Sequence, residues 1–293
     1  MEKTNIRRLV GVMMPFMIMV IVQRLGLLVF GMAGLPEVLR DTFAFVTASA
    51  AGIFFFRMSC GADALRIAVP AVPESGDGGG NGADGGDDRH VPPFRKKDTR
   101  FGRTMYTLVC IGALVIAMHV VAMAADAQVV EKFAAGTMAA EFVSLVLIHP
   151  FLEEYVFRWL YYRELRPMHP IFAGLAQAVM FAIVHGSVGG MVYALFAGVL
   201  LVVAMERSGS LAAAVISHML VNLRSFVYLT WLADGAVEQA EQVRMMIDFG
   251  LVSLGFGAFL GLMVRRGLRE VWNAADADAD AESEDGSDDT GTE

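Results

Sequence analysis

The stretch MAAEFVSLVLIHPFLEEYVFRWL, residues 138–160, decides how this chain is read. It is long and apolar enough to cross a bilayer. Yet its second half carries Glu153, Glu154 and, four residues after the second glutamate, Arg158. An ionisable side chain in hydrocarbon costs several kcal/mol by most scales, about 3 kcal/mol or more, so such residues usually face a protein-lined or wet cavity and act there. Two later apolar segments carry Phe181 with His185 and His218 with Asn222, each pair four residues apart.

The rest of the chain fits that reading. It is 56% hydrophobic and 18% charged, has nine prolines in 293 residues and a mean hydropathy of +0.53, which excludes an ordinary soluble domain. The fold class expected is all-α, a polytopic membrane helix bundle. Apolar runs near 9–33, 42–60, 104–125, 138–160, 170–187, 189–205, 211–230 and 245–264 give about eight transmembrane helices. The net charge of −8 is set by two acidic stretches, 73–88 and 274–293, which contain no Lys or Arg. Without them the chain is basic.

Lys and Arg collect before the first run, between the second and third, and after the fourth, sixth and eighth, whereas the alternate loops hold little beyond Arg40, Lys132 and Arg244. Short cytoplasmic loops keep such an excess, so both termini are expected in the cytoplasm. The first apolar run is too long for a signal-peptide core and should stay as an anchor. Four regions follow: 1–69 with two spans, a Gly/Asp-rich then basic cytoplasmic loop over 70–103, a core over 104–270 whose motifs lie within 138–230, and a disordered acidic tail over 271–293. Cys60 and Cys110 form no metal or disulfide pattern and read as packing residues. His119 reads as hydrogen-bonded packing, His90 and His169 as loop residues. Phe181 reads most simply as a core aromatic, and Arg24 and Arg224 as side chains that snorkel or pair away from any chemistry.

On a helix, Glu154 and Arg158 share a face and can pair, while Glu153 is turned by about 100° from its neighbour and is left to address a cavity. A carboxylate in an apolar pocket suits a general base that takes a proton from water. A histidine from another helix can hold that water, and a second histidine with an asparagine on one face can donate to an oxyanion. That inventory suffices for peptide-bond hydrolysis without a serine or cysteine nucleophile.

The Glu-Glu-x-x-x-Arg of Glu153 to Arg158, the Phe-x-x-x-His of Phe181 to His185 and the His-x-x-x-Asn of His218 to Asn222 resemble, in order, the three motifs of the CAAX protease and bacteriocin-processing (CPBP) intramembrane proteases. The resemblance covers roughly residues 138–230. It implies an intramembrane endopeptidase in which Glu153 activates water, His185 helps to position it, His218 and Asn222 form the oxyanion site, and Glu154 with Arg158 supports the first glutamate. Trp159 departs from the small residue this family often has after the arginine, which bears on substrate fit.

The cofactor expectation is open: none required, or Zn²⁺ with Glu153, His185 and His218 as its three ligands and His149, four residues before Glu153, in reserve. No HExxH is present, and the weight falls on no obligatory metal. The alternative function is a non-proteolytic peptide-binding or bacteriocin self-immunity protein that uses the same cavity. The expected partners are the lipid bilayer and a protein or peptide substrate, with no nucleic acid. The expected location is the plasma membrane of a prokaryote, as an integral multi-pass protein. One tension stands in the sequence: simple counting puts Glu153 in the cytoplasmic half of the fourth span and His185 near the far end of the fifth. They meet only if the fourth helix is tilted or runs past Tyr161, or if the fifth is shifted inward and broken around Gly186, Gly189 and Gly190.

Overall fold

A computed structural model of the protein describes residues 3–61, 100–125, 138–233 and 236–285, and among these residues there are helices and no strands. Eight helical rods follow one another: α1 (Lys3–Met32), α2 (Glu37–Cys60), α3 (Arg100–Ala125), α4 (138–165), α5 (Pro170–Ile183), α6 (Val188–Ser208), α7 (Leu211–Ala233) and α8 (Val237–Asp285). Six of them, α1 to α3 and α6 to α8, are long and apolar enough to cross a membrane. The protein is an integral multi-pass helix bundle. α5 is a shorter apolar helix of 14 residues, and α4 alternates between α-helical and wider π-helical turns.

α4 starts as an α-helix over Met138–Phe142, widens to a π-helix over Val143–Ile148, tightens over His149–Glu153, and widens again over Glu154–Tyr162 before ending in Arg163–Leu165. Such π-helical turns gather at functional sites. The helix therefore runs past Tyr161, and α5 ends at Ile183 instead of 187. The run of α4 past Tyr161 is one of the two routes by which Glu153 and His185 were expected to approach. Gly186, at φ +75°, makes the turn that follows, a conformation a side chain would resist. Ser187 then caps α6 by accepting from the Gly190 N–H at 3.1 Å. Gly189 and Gly190 lie inside α6 and break nothing.

Packing locks α4 among its neighbours. Tyr161 meets Phe16 of α1 and Phe56 of α2, at ring separations of 6.4 and 5.9 Å, while Arg8 on α1 bonds Glu164 at 3.1 Å. Arg166, just after α4, pairs with Glu206 of α6 at 2.7 Å, and the Tyr162 hydroxyl donates to the same carboxylate at 3.0 Å. Small residues let helices touch, as is common between membrane helices: a Cβ on Gly198 of α6 would stand 2.8 Å from the Cα of Ala178 on α5, and one on Gly255 of α8 would stand 3.0 Å from the Cα of Gly112 on α3.

At the opposite end, Arg224 of α7 pairs with Asp248 of α8 at 2.5 Å. His119 of α3 joins them, with Nε2 3.2 Å from Asp248 and 3.0 Å from Nη1 of Arg244, while its Nδ1 faces the Val115 carbonyl at 2.8 Å. Arg224 is thus paired across helices, away from the motifs. His169 caps α5 through its ring nitrogen. Cys60 and Cys110 are free thiols set against backbone carbonyls.

The last helix differs from expectation. It continues to Asp285, through an acidic segment expected to lack structure from 271. Residues 274–285 contain no Gly or Pro and alternate Ala with acids, and alanine is the strongest helix former. Residues 286–293, most of the 70–103 loop and His90 lie outside the described residues.

Candidate active site

The first glutamate pair stands where α4 passes from its second α-helical stretch into its second π-helical stretch, with Glu153 closing the former and Glu154 opening the latter. Both are buried, Glu153 at 7% exposure and Glu154 at 0%, as are Arg158 at 0% and His218 at 9%. Arg158 Nη1 lies 3.1 Å from Glu154 Oε1, so the expected i,i+4 ion pair is present. The same Oε1 is 2.8 Å from Nδ1 of His218 on α7. The other imidazole nitrogen, Nε2, lies 3.6 Å from Glu153 Oε2.

The two glutamates therefore do not face different neighbours. His218 is set between them, one ring nitrogen toward each carboxylate. Arg158 has no hydrogen-bond partner for any guanidinium nitrogen. Its charge is met by Glu154 and by the face of the Phe181 ring, whose centroid lies 4.1 Å from the guanidinium carbon. Such a contact is worth about 2 kcal/mol when desolvated.

Phe181 is thus more than a core aromatic. Its ring also meets Phe157 at 5.2 Å, His185 at 4.6 Å and His218 at 6.0 Å, and its carbonyl lies 2.8 Å from Nδ1 of His185. His185 stands in the turn after α5, half-buried, and reaches the cluster through this ring; among the described residues no hydrogen bond or ion pair joins it to Glu153. Asn222, one turn after His218 on α7, donates from Nδ2 to the Leu145 carbonyl at 2.8 Å. Leu145 lies in the first π-helical stretch, where the wide turn leaves a carbonyl for a side chain to satisfy.

His149 sits one turn before Glu153, its ring stacked on Phe45 of α2 at 4.5 Å. Phe45 and the Leu145 carbonyl were not singled out by sequence. A phenylalanine in an apolar run carries no signal of what it covers, and a π-helical turn leaves none at all. Among the described residues no group of three or more His, Cys, Asp or Glu is arranged to hold a metal ion. Nδ1 of His218 is turned to Glu154 and Nδ1 of His185 to a backbone carbonyl, which leaves Nε2 as the nitrogen of each ring that can meet water, substrate or an ion.

These observations define a buried glutamate and histidine centre built from α4, the end of α5 and the turn after it, and α7. Residues 135–224, which contain all three motifs, match the family model described as type II CAAX prenyl endopeptidase Rce1-like, and this shows the likeness to CPBP proteases for that segment. The family suggests CAAX-type intramembrane protease activity. No curated protein matches the chain, and no solved structure does.

Proposed function

We propose that the protein is an intramembrane endopeptidase that hydrolyses a peptide bond of a membrane-associated protein or peptide with water activated by Glu153. The observation that carries this reading is His218 between Glu153 and Glu154, with Nε2 3.6 Å from the first and Nδ1 2.8 Å from the second. A buried carboxylate with an imidazole nitrogen 3.6 Å away is placed to take a proton from water.

The supporting residues follow from their partners. Glu154, paired with Arg158, accepts the Nδ1 proton of His218 and so fixes the tautomer. Nε2 can then donate only when the ring is an imidazolium, the form in which two cations, Arg158 and His218, stand against two carboxylates. In that form His218 stabilises the oxyanion that develops as water adds. Asn222 commits one N–H to Leu145 and offers the other. His185, held by the Phe181 carbonyl, positions the water from the turn after α5. Both termini lie in the cytoplasm in this proposal.

Purified protein in detergent, incubated with CAAX-tailed peptides and with a leader-peptide library, tests the reading beside Glu153→Ala. Cleavage by the wild type alone, resistant to serine- and cysteine-directed inhibitors, is expected. Cleavage abolished by chelator and restored by Zn²⁺ would move Glu153, His185 and His218 into the role of ligands. No cleavage, with peptide binding equal in both proteins, would overturn the protease and leave a peptide-binding protein.

A further inference from the structure

Arg24 has no task in the reaction above and no partner in the packing. It lies eight residues, about 12 Å of helix, inside the end of α1, among Ile21, Leu25, Leu28 and Val29, whose side chains are all exposed. An ionisable side chain on such a surface of a membrane helix is costly, and marks a functional site with a partner to be named. Arg24 is itself exposed, and among the described residues it has no hydrogen bond or ion pair. Other arginines of the bundle already hold carboxylates: Arg8 meets Glu164, Arg158 meets Glu154 and Arg224 meets Asp248.

Contacts on two sides put Arg24 beside the site. A Cβ built on Gly186 would stand 3.9 Å from Nη2 of Arg24, and Gly186 directly follows His185. Two residues further along α1, a Cβ on Gly26 would stand 3.0 Å from the Cα of Ala44 on α2. Ala44 adjoins Phe45, whose ring stacks on His149, one turn before Glu153. The guanidinium therefore reaches the turn that carries His185. A phosphate of the lipid surface would have to be met about two turns away, near the end of α1, whereas a peptide placed on Glu153 and His185 comes to the guanidinium where it stands.

Resting on the reading of this site as one that takes and cleaves a peptide, we propose that Arg24 binds a carboxylate of that peptide, its chain terminus or an Asp or Glu side chain, close to the scissile bond. The planar guanidinium offers a carboxylate two parallel N–H donors, the geometry in which such pairs are strongest. Binding turns a lone cation in an apolar surface into a neutral pair, so a substrate that brings the carboxylate is favoured over one that does not. Held there, the carboxylate fixes the register of the peptide, and with it which carbonyl stands by Glu153.

The test uses the full chain in phosphatidylcholine vesicles with one peptide it cleaves, and with that peptide amidated at its C-terminus or with each Asp or Glu near the scissile bond changed to Asn or Gln. Arg24→Gln should raise KM for the parent peptide by about 10–100-fold, the usual cost of a lost charge-assisted pair, while kcat changes less than about threefold. Arg24→Lys, which keeps the charge and loses the fork, should fall between the two. On the peptide that lacks the bound carboxylate, wild type and Arg24→Gln should share the same raised KM, and which peptide this is tells a chain terminus from a side chain. An Arg24→Gln loss that is equal on every peptide, or an unchanged KM, would overturn the assignment. So would a loss that tracks phosphatidylglycerol added to the vesicles and ignores the carboxylates of the peptide, which would give Arg24 to a lipid phosphate. If Arg24→Gln does not fold, Arg24→Lys and the wild type carry the same comparison. A wild type that cleaves no peptide, yet binds one more tightly than its neutralised forms, would bring down the hydrolytic reading and keep Arg24 as the anchor of a peptide-binding site. Neither cleavage nor such binding would bring down both.

Discussion

The guanidinium carbon of Arg158 lies 4.1 Å from the centroid of the Phe181 ring. This contact makes the three motifs one mechanical unit, because the same ring meets His185 and His218 and the Phe181 carbonyl holds the His185 imidazole. The two families of contact, charge on ring face and edge on ring, converge on a side chain with 1% exposure.

Phe181→Leu keeps an apolar group of similar bulk and removes the ring. The cation–π contact and the aromatic pairs are each worth about 0.5–2 kcal/mol, so the variant should unfold at clearly lower temperature in detergent and lose turnover together with stability. A thermal midpoint equal to the wild type would reject the ring as the keystone of the site.

Glu154→Gln should harm folding more than Glu153→Gln. It leaves Arg158, at 0% exposure, without its counter-ion, and breaking a buried pair costs about 3–5 kcal/mol. Glu153→Gln should retain the wild-type midpoint and lose activity. Replacing both Glu154 and Arg158 with apolar residues should recover stability without recovering cleavage. Midpoints that rank the two single variants the other way would reverse the assignment.

Asn222→Ala is expected to lower kcat by about 10²–10³, the effect of losing one oxyanion donor, with KM changed far less. It also leaves the Leu145 carbonyl without its 2.8 Å donor, a loss of about 1 kcal/mol in stability. Steady-state kinetics showing the change in KM alone would place Asn222 in substrate binding.

Gly198→Ala puts a methyl group 2.8 Å from the backbone of Ala178, which must move. Overpacking of this kind costs about 1–3 kcal/mol. Since Phe181 lies on α5 close by, with its Cδ1 3.6 Å from the same methyl position, turnover should fall too. An unchanged midpoint would show that α5 and α6 can separate freely.

Reporter fusions after Gly34, within residues 75–88 and after Glu293 should read outside, inside and inside. An outward-facing reporter at 75–88 would reject the proposed orientation.

Much of the bundle was legible because long apolar runs have no other physical use. α1, α2, α3, α6 and α7 fall close to their expected positions. The ends of α4 and α5 were not, since Arg163 and Glu164 look like a boundary until Arg8 is seen to pair with Glu164 from α1. The ion pair of Glu154 with Arg158 follows from helical spacing alone. That Glu153 also turns toward His218 does not, because the spacing rule assumes 3.6 residues per turn and α4 widens at Glu154. Asn222 reaching Leu145 has the same origin. Asp248 escaped notice because it lies 24 positions from Arg224, and only the antiparallel return of α8 brings them together.

The Arg224 to Asp248 pair sets a limit on where this protein can be cut. The family-like segment ends at residue 224, on the very arginine whose counter-charge is supplied from α8. Expressed by itself, that segment would lack the α3 surface that α8 and α6 clasp and would end on a cation without its counter-charge. The stretch that carries the motifs therefore leaves the buried partner of its last arginine outside its own bounds.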